Sequence, residues 1–253
     1  MDLLFDALSE AVRLLVGGDP YLWGIVGRSL LVSSSAVLLG LIFGVPLGAW
    51  LGLARFRGRS LAIAIVNTGL ALPPVVVGLF VYMVLSRQGA LGSLGWLFTI
   101  PAMISAQFIL AAPYVAAITL AAVQSVPPEL RLQARAVGAS RLQAVWLHLR
   151  EARLSLMAAV AAGFGAVISE VGAVTMVGGN IADQTRVITT AIVLETRRGR
   201  FAAAMALGLI LLAFAFAANV FITRIQQAEP RRRRPPAGRP PRPPRPPRPP
   251  LTS

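Results

Sequence analysis

Five apolar runs constrain this chain more than any other feature of its sequence. Each is long enough to cross a lipid bilayer, because a membrane-spanning helix needs roughly 20 consecutive apolar residues. The runs cover 25–53, 61–86, 99–123, 154–177 and 201–225. Charged residues make up only 13% of the chain, against about 25% in a soluble domain. In hydrocarbon the backbone polar groups must be hydrogen-bonded within the protein. The sequence therefore predicts an all-α, polytopic membrane protein with about five transmembrane helices.

The basic residues are all arginine, and their distribution predicts the orientation of the chain. The net charge of +14 raises nucleic-acid binding as an interpretation, but eight arginines lie in a Pro-rich tail and most others flank apolar runs. The positive-inside rule then places the N-terminus outside and the C-terminus in the cytoplasm. The linker 180–200 is an exception, since it carries four arginines on the outer side. Either a re-entrant segment changes the count, or these arginines have a function there.

The two ends of the chain differ from the apolar centre. Residues 1–16 place polar side chains on one helical face and leucines on the other, which predicts a short helix lying in the membrane interface. Residues 17–227 are predicted to form the transmembrane domain. Residues 228–253 repeat Arg-Pro-Pro and cannot form a core, so a disordered cytoplasmic tail attracted to anionic lipid is expected. A docking site for a proline-binding partner is the alternative.

Glycines and prolines in the apolar runs indicate close packing and helix breaks. The first run has a glycine at every fourth position, which leaves a smooth stripe against which a neighbouring helix can pack. These glycines are Gly40, Gly44, Gly48 and Gly52. Prolines at 46, 73, 74 and 113 lie inside or near predicted spans. Membrane helices tolerate such breaks when neighbours satisfy the freed carbonyls, and broken helices often border a transport path.

The linker between the third and fourth runs is more ordered than a simple connection requires. Pro127 and Pro128 suit the first turn of a helix, and Gly138 is a left-handed stop. Ser140 with Gln143 then forms a capping-box pattern that begins a second helix. This helix–Gly–helix segment near 127–150 resembles the cytoplasmic coupling loop of ABC importer permeases. The resemblance assigns contact with an ATPase to Ala134, Gly138, Ala139 and Ser140, although the family's acidic residue is absent here.

A second resemblance follows this linker. The runs Leu-Arg-Glu-Ala-Arg at 149–153, Ile-Ser-Glu-Val-Gly-Ala-Val-Thr-Met-Val-Gly-Gly-Asn-Ile at 168–181 and Thr-Arg-Val-Ile-Thr-Thr-Ala-Ile at 185–192 are similar to tungstate-type permeases, relatives of molybdate and sulfate permeases. The similarity extends over about 17–227. It implies the type I ABC importer permease fold, a homodimer with two cytoplasmic ATPase subunits, an external binding protein, and import of a tetrahedral oxyanion.

The chain has no nucleotide-binding motif of its own. It contains no lysine, so a P-loop lysine is excluded, and it is expected to be a transport subunit rather than an enzyme. No cofactor is expected. His148 is the sole histidine and there is no cysteine, so no metal site is expected either. An ion-coupled secondary carrier and a membrane scaffold working through the tail are the alternatives from other classes.

Polar residues after the coupling segment are candidates for the substrate path. Glu170 lies in the fourth apolar run, where an ionisable group is costly and faces the bundle interior or a wet cavity. It is interpreted either as a gate residue or as a structural hydrogen-bonding group. Backbone N–H groups, hydroxyls and one guanidinium are the donors an oxyanion needs. The predicted path residues after Glu170 are Gly178, Gly179, Asn180, Thr185, Arg186, Thr189 and Thr190. A surface helix contacting the binding protein or lipid headgroups is the alternative.

Overall fold

The computed structural model describes residues 2–127, 129, 130, 133, 136 and 138–228. Ten helices are numbered here in chain order over these residues. They are α1 Asp2–Val16, α2 Pro20–Leu53, α3 Arg59–Thr68, α4 Pro74–Leu85, α5 Ile100–Gln124, α6 Arg141–Glu151, α7 Arg153–Ile168, α8 Gly172–Gly178, α9 Ile188–Arg197 and α10 Phe201–Ala228. The described part of the chain contains no strand, which agrees with the predicted all-α class.

Three helices are long and apolar enough to cross a membrane, namely α2, α5 and α10 within the described residues. Two further helix pairs qualify as bent spans. They are Arg59–Ala71 with Pro74–Leu85, bent by 101°, and Gln143–Glu151 with Arg153–Ile168, bent by 68°. Counting each bent pair as one span gives up to five, as the sequence predicts.

The second predicted span, 61–86, is wrong as a single helix. A helix ends at Thr68, a single 3₁₀ turn covers Gly69–Ala71, and α4 begins at Pro74. Pro73 and Pro74 cannot donate backbone hydrogen bonds, and each disfavours helical geometry in the residue before it. The helix is therefore interrupted here, and the two parts are bent by 101°.

The fourth predicted span, 154–177, is also interrupted. Helix α7 ends at Ile168 and α8 begins at Gly172, so Glu170 lies between two helices rather than in the middle of one. The side chain of Ser169 donates to the Gly165 carbonyl at 2.8 Å, inside the last turn of α7. Such bonds compete with the helical ladder and favour a helix end.

The glycine stripe of α2 packs against α5, as predicted. A Cβ at Gly44 would lie 2.9 Å from the Ala112 carbonyl oxygen, and a Cβ at Gly48 would overlap the Ala116 carbonyl. Absence of side chains therefore lets the two backbones approach closely. The pair forms the centre of the bundle, and 61% of the residues in the most apolar part of α5 are buried.

Two shorter helices, α1 and α9, contact α10. Helix α1 forms where the sequence predicts it and packs against α10. Its position in a membrane interface stays a prediction. Helix α9 has 10 residues and is about 15 Å long, so it is too short to cross a bilayer. The predicted disordered tail, 228–253, lies outside the described residues apart from Ala228, the last residue of α10.

Candidate functional site

The two interrupted spans meet inside the bundle. A Cβ at Gly172, the first residue of α8, would lie 2.7 Å from Val75 Cγ2 and 3.7 Å from the Val75 backbone nitrogen. Val75 is the second residue of α4, directly after the Pro73–Pro74 break. A Cβ at Gly78 would likewise lie 2.7 Å from Ala173 Cα. Small residues thus bring the start of α4 and the start of α8 into contact.

Side chains from three segments satisfy the backbone at the second break. Gln107 Nε2 in α5 donates to the Val167 carbonyl at 2.9 Å. Glu170 Oε1 accepts from the Ala173 backbone N–H at 3.0 Å, so the carboxylate caps α8. The Glu170 carbonyl accepts from Thr189 Oγ1 at 2.9 Å. These bonds let an interrupted helix exist among apolar neighbours, where unpaired backbone groups are costly.

Gln107 is a site residue that sequence reasoning missed. Its side chain is 3% exposed, and Oε1 has no hydrogen-bond partner within the described structure. The available signal was a glutamine in the middle of an otherwise apolar run. Its connection to residue 167 could not be read locally, because the two residues are far apart in sequence.

The segment after α8 is a tight turn closed by Thr185. Helix α8 ends at Gly178, and Gly179 and Asn180 both have left-handed backbone geometry, with φ of 71° and 52°. The Thr185 hydroxyl donates to the Gly178 carbonyl and accepts from the Ile181 N–H. A Cβ at Gly179 would lie 2.9 Å from Phe98 Cδ1, so the turn packs on the linker that precedes α5.

Arg186 is held at the edge of this turn by neutral partners. Its Nε and Nη2 donate to the side chain and carbonyl of Asn180, each at 3.1 Å, and its Nη1 donates to the Tyr21 hydroxyl at 2.7 Å. Tyr21 is in the first turn of α2. The guanidinium therefore joins the turn to the first turn of α2.

The predicted polar strip at helical spacing is only partly helical. Helix α9 begins at Ile188, so Thr185 and Arg186 precede it. Thr189 and Thr190 are 5% and 2% exposed, and Thr190 caps the Val187 N–H at 3.1 Å. In this chain the three threonine hydroxyls bond to backbone groups. Arg186, Asn180 and Gly179 are the members with greater exposure.

The predicted coupling segment lies at the other end of α2. Gly138 has a φ of 82°, as expected for a left-handed stop. Ser140 and Gln143 form the predicted capping box, with bonds of 3.3 Å and 2.7 Å. Ala139 lies between Gly138 and Ser140, and Ala134 lies outside the described residues. The turn and the start of α6 are therefore rigidly defined.

A cavity of about 640 Å³ lies between α6 and the end of α2. Pro46, Trp50, Ala139 and His148 are among its lining residues. His148 is 3% exposed, and its Nδ1 donates to the Ala144 carbonyl at 2.7 Å, because a carbonyl can only accept. The histidine is thus packed behind the coupling segment rather than presented at its surface.

A helical membrane bundle in which two interrupted spans meet beside polar side chains is typical of membrane transport proteins. Residues 44–234 match the family of binding-protein-dependent transport system inner membrane components. The chain belongs to this family, which places it in a cell membrane as a transport permease and agrees with the family resemblance drawn from the sequence.

Two curated relatives are similar over most of their length. A probable anion ABC transporter permease protein of Haloferax volcanii is 43% identical over 217 residues, covering 84% of this chain and 94% of the relative. The tungstate uptake system permease protein TupB of Peptoclostridium acidaminophilum is 37% identical over 227 residues, covering 90% and 100%.

A solved structure agrees with the fold. The inward-facing MetNI methionine ABC transporter superposes with a TM-score of 0.70 at 22% identity, covering 82% of this chain and 95% of that chain. The fold is therefore that of a type I ABC importer permease.

Proposed function

We propose that this chain is the membrane subunit of an ATP-driven importer for a tetrahedral oxyanion, with tungstate as the substrate. The observation that carries the transport role is the meeting of two interrupted spans at Gly172 and Val75, beside the polar groups of Glu170 and Gln107. The names of the anion and tungstate relatives support the substrate class. Molybdate and sulfate are the competing substrates within this class.

The proposed assembly is a homodimer with two cytoplasmic ATPase subunits and an external binding protein. ATP hydrolysis is assigned to the ATPase subunits because this chain has no lysine for a P-loop. Gly138, Ala139, Ser140 and Ala134 are proposed to contact the ATPase. Exposed apolar side chains on α4, including Val76, Phe80 and Met83, provide a surface for lipid or the second copy.

The proposed orientation puts the N-terminus outside and the C-terminus in the cytoplasm. Arg55, Arg57 and Arg59, between α2 and α3, then lie inside, as the positive-inside rule requires. The turn at Gly178–Asn180 and Arg186 lies at the outer end, opposite the coupling segment. Glu170 lies between these ends and is proposed as a gate residue, with Thr185, Thr189 and Thr190 holding the surrounding backbone in place.

Transport can be tested by reconstituting the permease with its ATPase in proteoliposomes and adding tungstate-loaded binding protein. Expected is ATP-dependent accumulation of tungstate, measured by elemental mass spectrometry, with molybdate and sulfate run as competitors. Accumulation driven by an ion gradient without ATP would instead indicate a secondary carrier. A preference for sulfate over tungstate would contradict the substrate assignment.

Replacing Arg186 tests the outer end of the path. Arg186→Ala removes three hydrogen bonds and a positive charge, so tungstate uptake is expected to fall about tenfold or more, as for loss of charge-assisted bonds worth roughly 1.5–3 kcal/mol each. Tyr21→Phe is the control, because it removes one neutral partner and keeps the charge. Normal uptake by a normally assembled Arg186→Ala complex would contradict the role.

A further inference from the structure

We propose that Arg28, together with Arg186, forms a contact site for a tetrahedral oxyanion at the outer end of the bundle. This inference rests on the proposed function and adds a residue that the sequence pattern did not single out. The site would receive the anion before it reaches the break at Glu170.

The position of Arg28 in α2 places it outside the hydrocarbon. At 1.5 Å per residue, Arg28 lies about 37 Å from Leu53 along the helix. A hydrocarbon core is about 30 Å thick. When Leu53 lies at the cytoplasmic boundary, Arg28 reaches the level of the outer headgroups, where a charged residue is tolerated and water has access.

Among the described residues, Arg28 donates its hydrogen bonds to neutral backbone groups. Its Nε donates to the Arg186 carbonyl at 2.9 Å, and its Nη1 donates to the Asp183 carbonyl at 3.2 Å. Its Nη2 is buried and has no hydrogen-bond partner within the part of the chain that the structure describes. A buried charged donor left unpaired is costly, so an anion that accepts from Nη2 would relieve that cost.

Two arginines contact this turn through hydrogen bonds to neutral groups. Arg28 bonds to the backbone of Arg186, whose own side chain bonds to Asn180 and Tyr21. The ion pairs found among the described residues involve Arg13, Arg198 and Arg200, and neither Arg28 nor Arg186. Guanidiniums offer planar, multiple donors to an oxyanion. The pair therefore has both the charge and the donors for such a ligand.

The surface turn beside Arg28 is strained. Arg28 Nη1 donates to the Asp183 carbonyl in this turn, whose residues 181–184 are exposed. Asn180 and Asp183 hold φ of 52° and 58° without being glycine, and such strain of about 1–3 kcal/mol per residue concentrates at ligand clamps and switches.

Gly24 supplies the space that the guanidinium occupies. A Cβ at Gly24 would lie 3.4 Å from Arg28 Nη1 and 3.5 Å from Nη2. Alanine therefore fits at this position in ordinary contact, and a branched side chain does not. Gly24→Ile offers a way to displace the guanidinium while keeping its charge, beside direct replacement of Arg28.

The test compares Arg28→Gln, Arg28→Lys and Gly24→Ile with wild type in the permease–ATPase complex. The matched control is Arg87→Gln, which removes an exposed arginine from the linker at the same end. The first measurement is the thermal unfolding midpoint with and without tungstate, in the absence of binding protein. The second is tungstate uptake in proteoliposomes.

In wild type and Arg87→Gln, tungstate is expected to raise the unfolding midpoint, since a ligand that binds the folded state stabilises it. Arg28→Gln and Gly24→Ile are expected to lose this rise, and Arg28→Gln to lower uptake at least tenfold. Arg28→Lys keeps the charge and is expected to retain part of both. Absence of tungstate uptake in wild type would refute the proposed function rather than this site.

Four results would overturn the site itself while wild type transports tungstate. One is a full tungstate-dependent rise of the midpoint in Arg28→Gln. Another is an equal loss of uptake in Arg28→Gln and Arg28→Lys while tungstate still raises the unfolding midpoint of both. Arg28 would then serve only to hold the backbone of the turn by hydrogen bonds. A third is an Arg28→Gln variant that is changed only in its affinity for the binding protein. The last is an Arg28-dependent rise with phosphatidylglycerol but not with tungstate, which would assign the site to a lipid headgroup.

Discussion

At the scale of single residues, Glu170 shows how one carboxylate serves an interrupted helix. Its Oε1 accepts from the Ala173 N–H at 3.0 Å, while its backbone carbonyl accepts from Thr189. The carboxylate caps α8, and we propose that it also acts as a gate. These two roles respond differently to substitution. The cap requires an acceptor oxygen, whereas a gate that depends on charge requires the carboxylate.

Substitutions at Glu170 separate these two roles. Glu170→Gln keeps an acceptor oxygen, so the unfolding midpoint is expected to stay near that of wild type, while uptake falls if the charge matters. Glu170→Ala leaves the Ala173 N–H without its partner and is expected to destabilise the complex by about 1–3 kcal/mol. Ser169→Ala is the comparison, because it removes an exposed side-chain bond to the end of α7 and leaves the cap on α8 in place. Equal stability of the Ala and Gln variants would contradict the capping role.

At the scale of helices, the contact between α2 and α5 depends on missing side chains. Gly44→Ala would place a methyl group 2.9 Å from the Ala112 carbonyl and 3.0 Å from Val115 Cβ. The expected loss is about 1–3 kcal/mol from overpacking, read as a lower unfolding midpoint.

The same helix contains a control for this substitution. Gly27 has no atom of a described residue within 4 Å of its would-be Cβ. Gly27→Ala is expected to be neutral or to stabilise α2 by about 0.5–1 kcal/mol, because alanine is the better helix former. An unchanged midpoint in Gly44→Ala, or an equal drop in both variants, would show that the stripe is not a packing contact.

The coupling segment depends on one left-handed residue. Gly138 has a φ of 82°, and no atom of the described residues lies within 4 Å of its would-be Cβ. Gly138→Ala therefore adds backbone strain of about 1–2 kcal/mol. The turn is expected to shift, and tungstate transported per ATP hydrolysed is expected to fall severalfold. Gly199→Ala carries the same strain, at a φ of 73°, away from this segment. Equal effects of both variants would contradict a specific coupling role.

At the scale of the whole molecule, the orientation across the membrane can be measured directly. The chain has no cysteine, so no native cysteine has to be replaced first. Single cysteines introduced at exposed serines then show which side of the membrane each position faces. Ser93→Cys is expected to react with an impermeant maleimide added to intact cells, because it lies in the linker before α5. Ser60→Cys, at the start of α3, is expected to react only after the membrane is opened. The reverse pattern would invert the proposed topology.

The sequence alone determined the class of fold and several local structures. Apolar length and the arginine positions predicted a membrane bundle, because the cost of burying backbone and charge in hydrocarbon is independent of which helices become neighbours. The Ser140 capping box and the Gly138 turn were also predictable, since their interactions join residues within one turn. The glycine stripe indicated a close contact but not its partner.

Only the tertiary structure decided which polar residues come together. Gln107 bonds to the backbone 60 residues away, and Arg28 bonds to carbonyls 158 and 155 residues away. The two predicted spans that proved to be broken meet at Val75 and Gly172, which no local pattern links. Periodicity and capping report the energy of a helix within itself, whereas these contacts depend on how α2, α4, α5 and α8 pack. The fold class could therefore be predicted from local sequence patterns, whereas the candidate site forms only when these helices pack together.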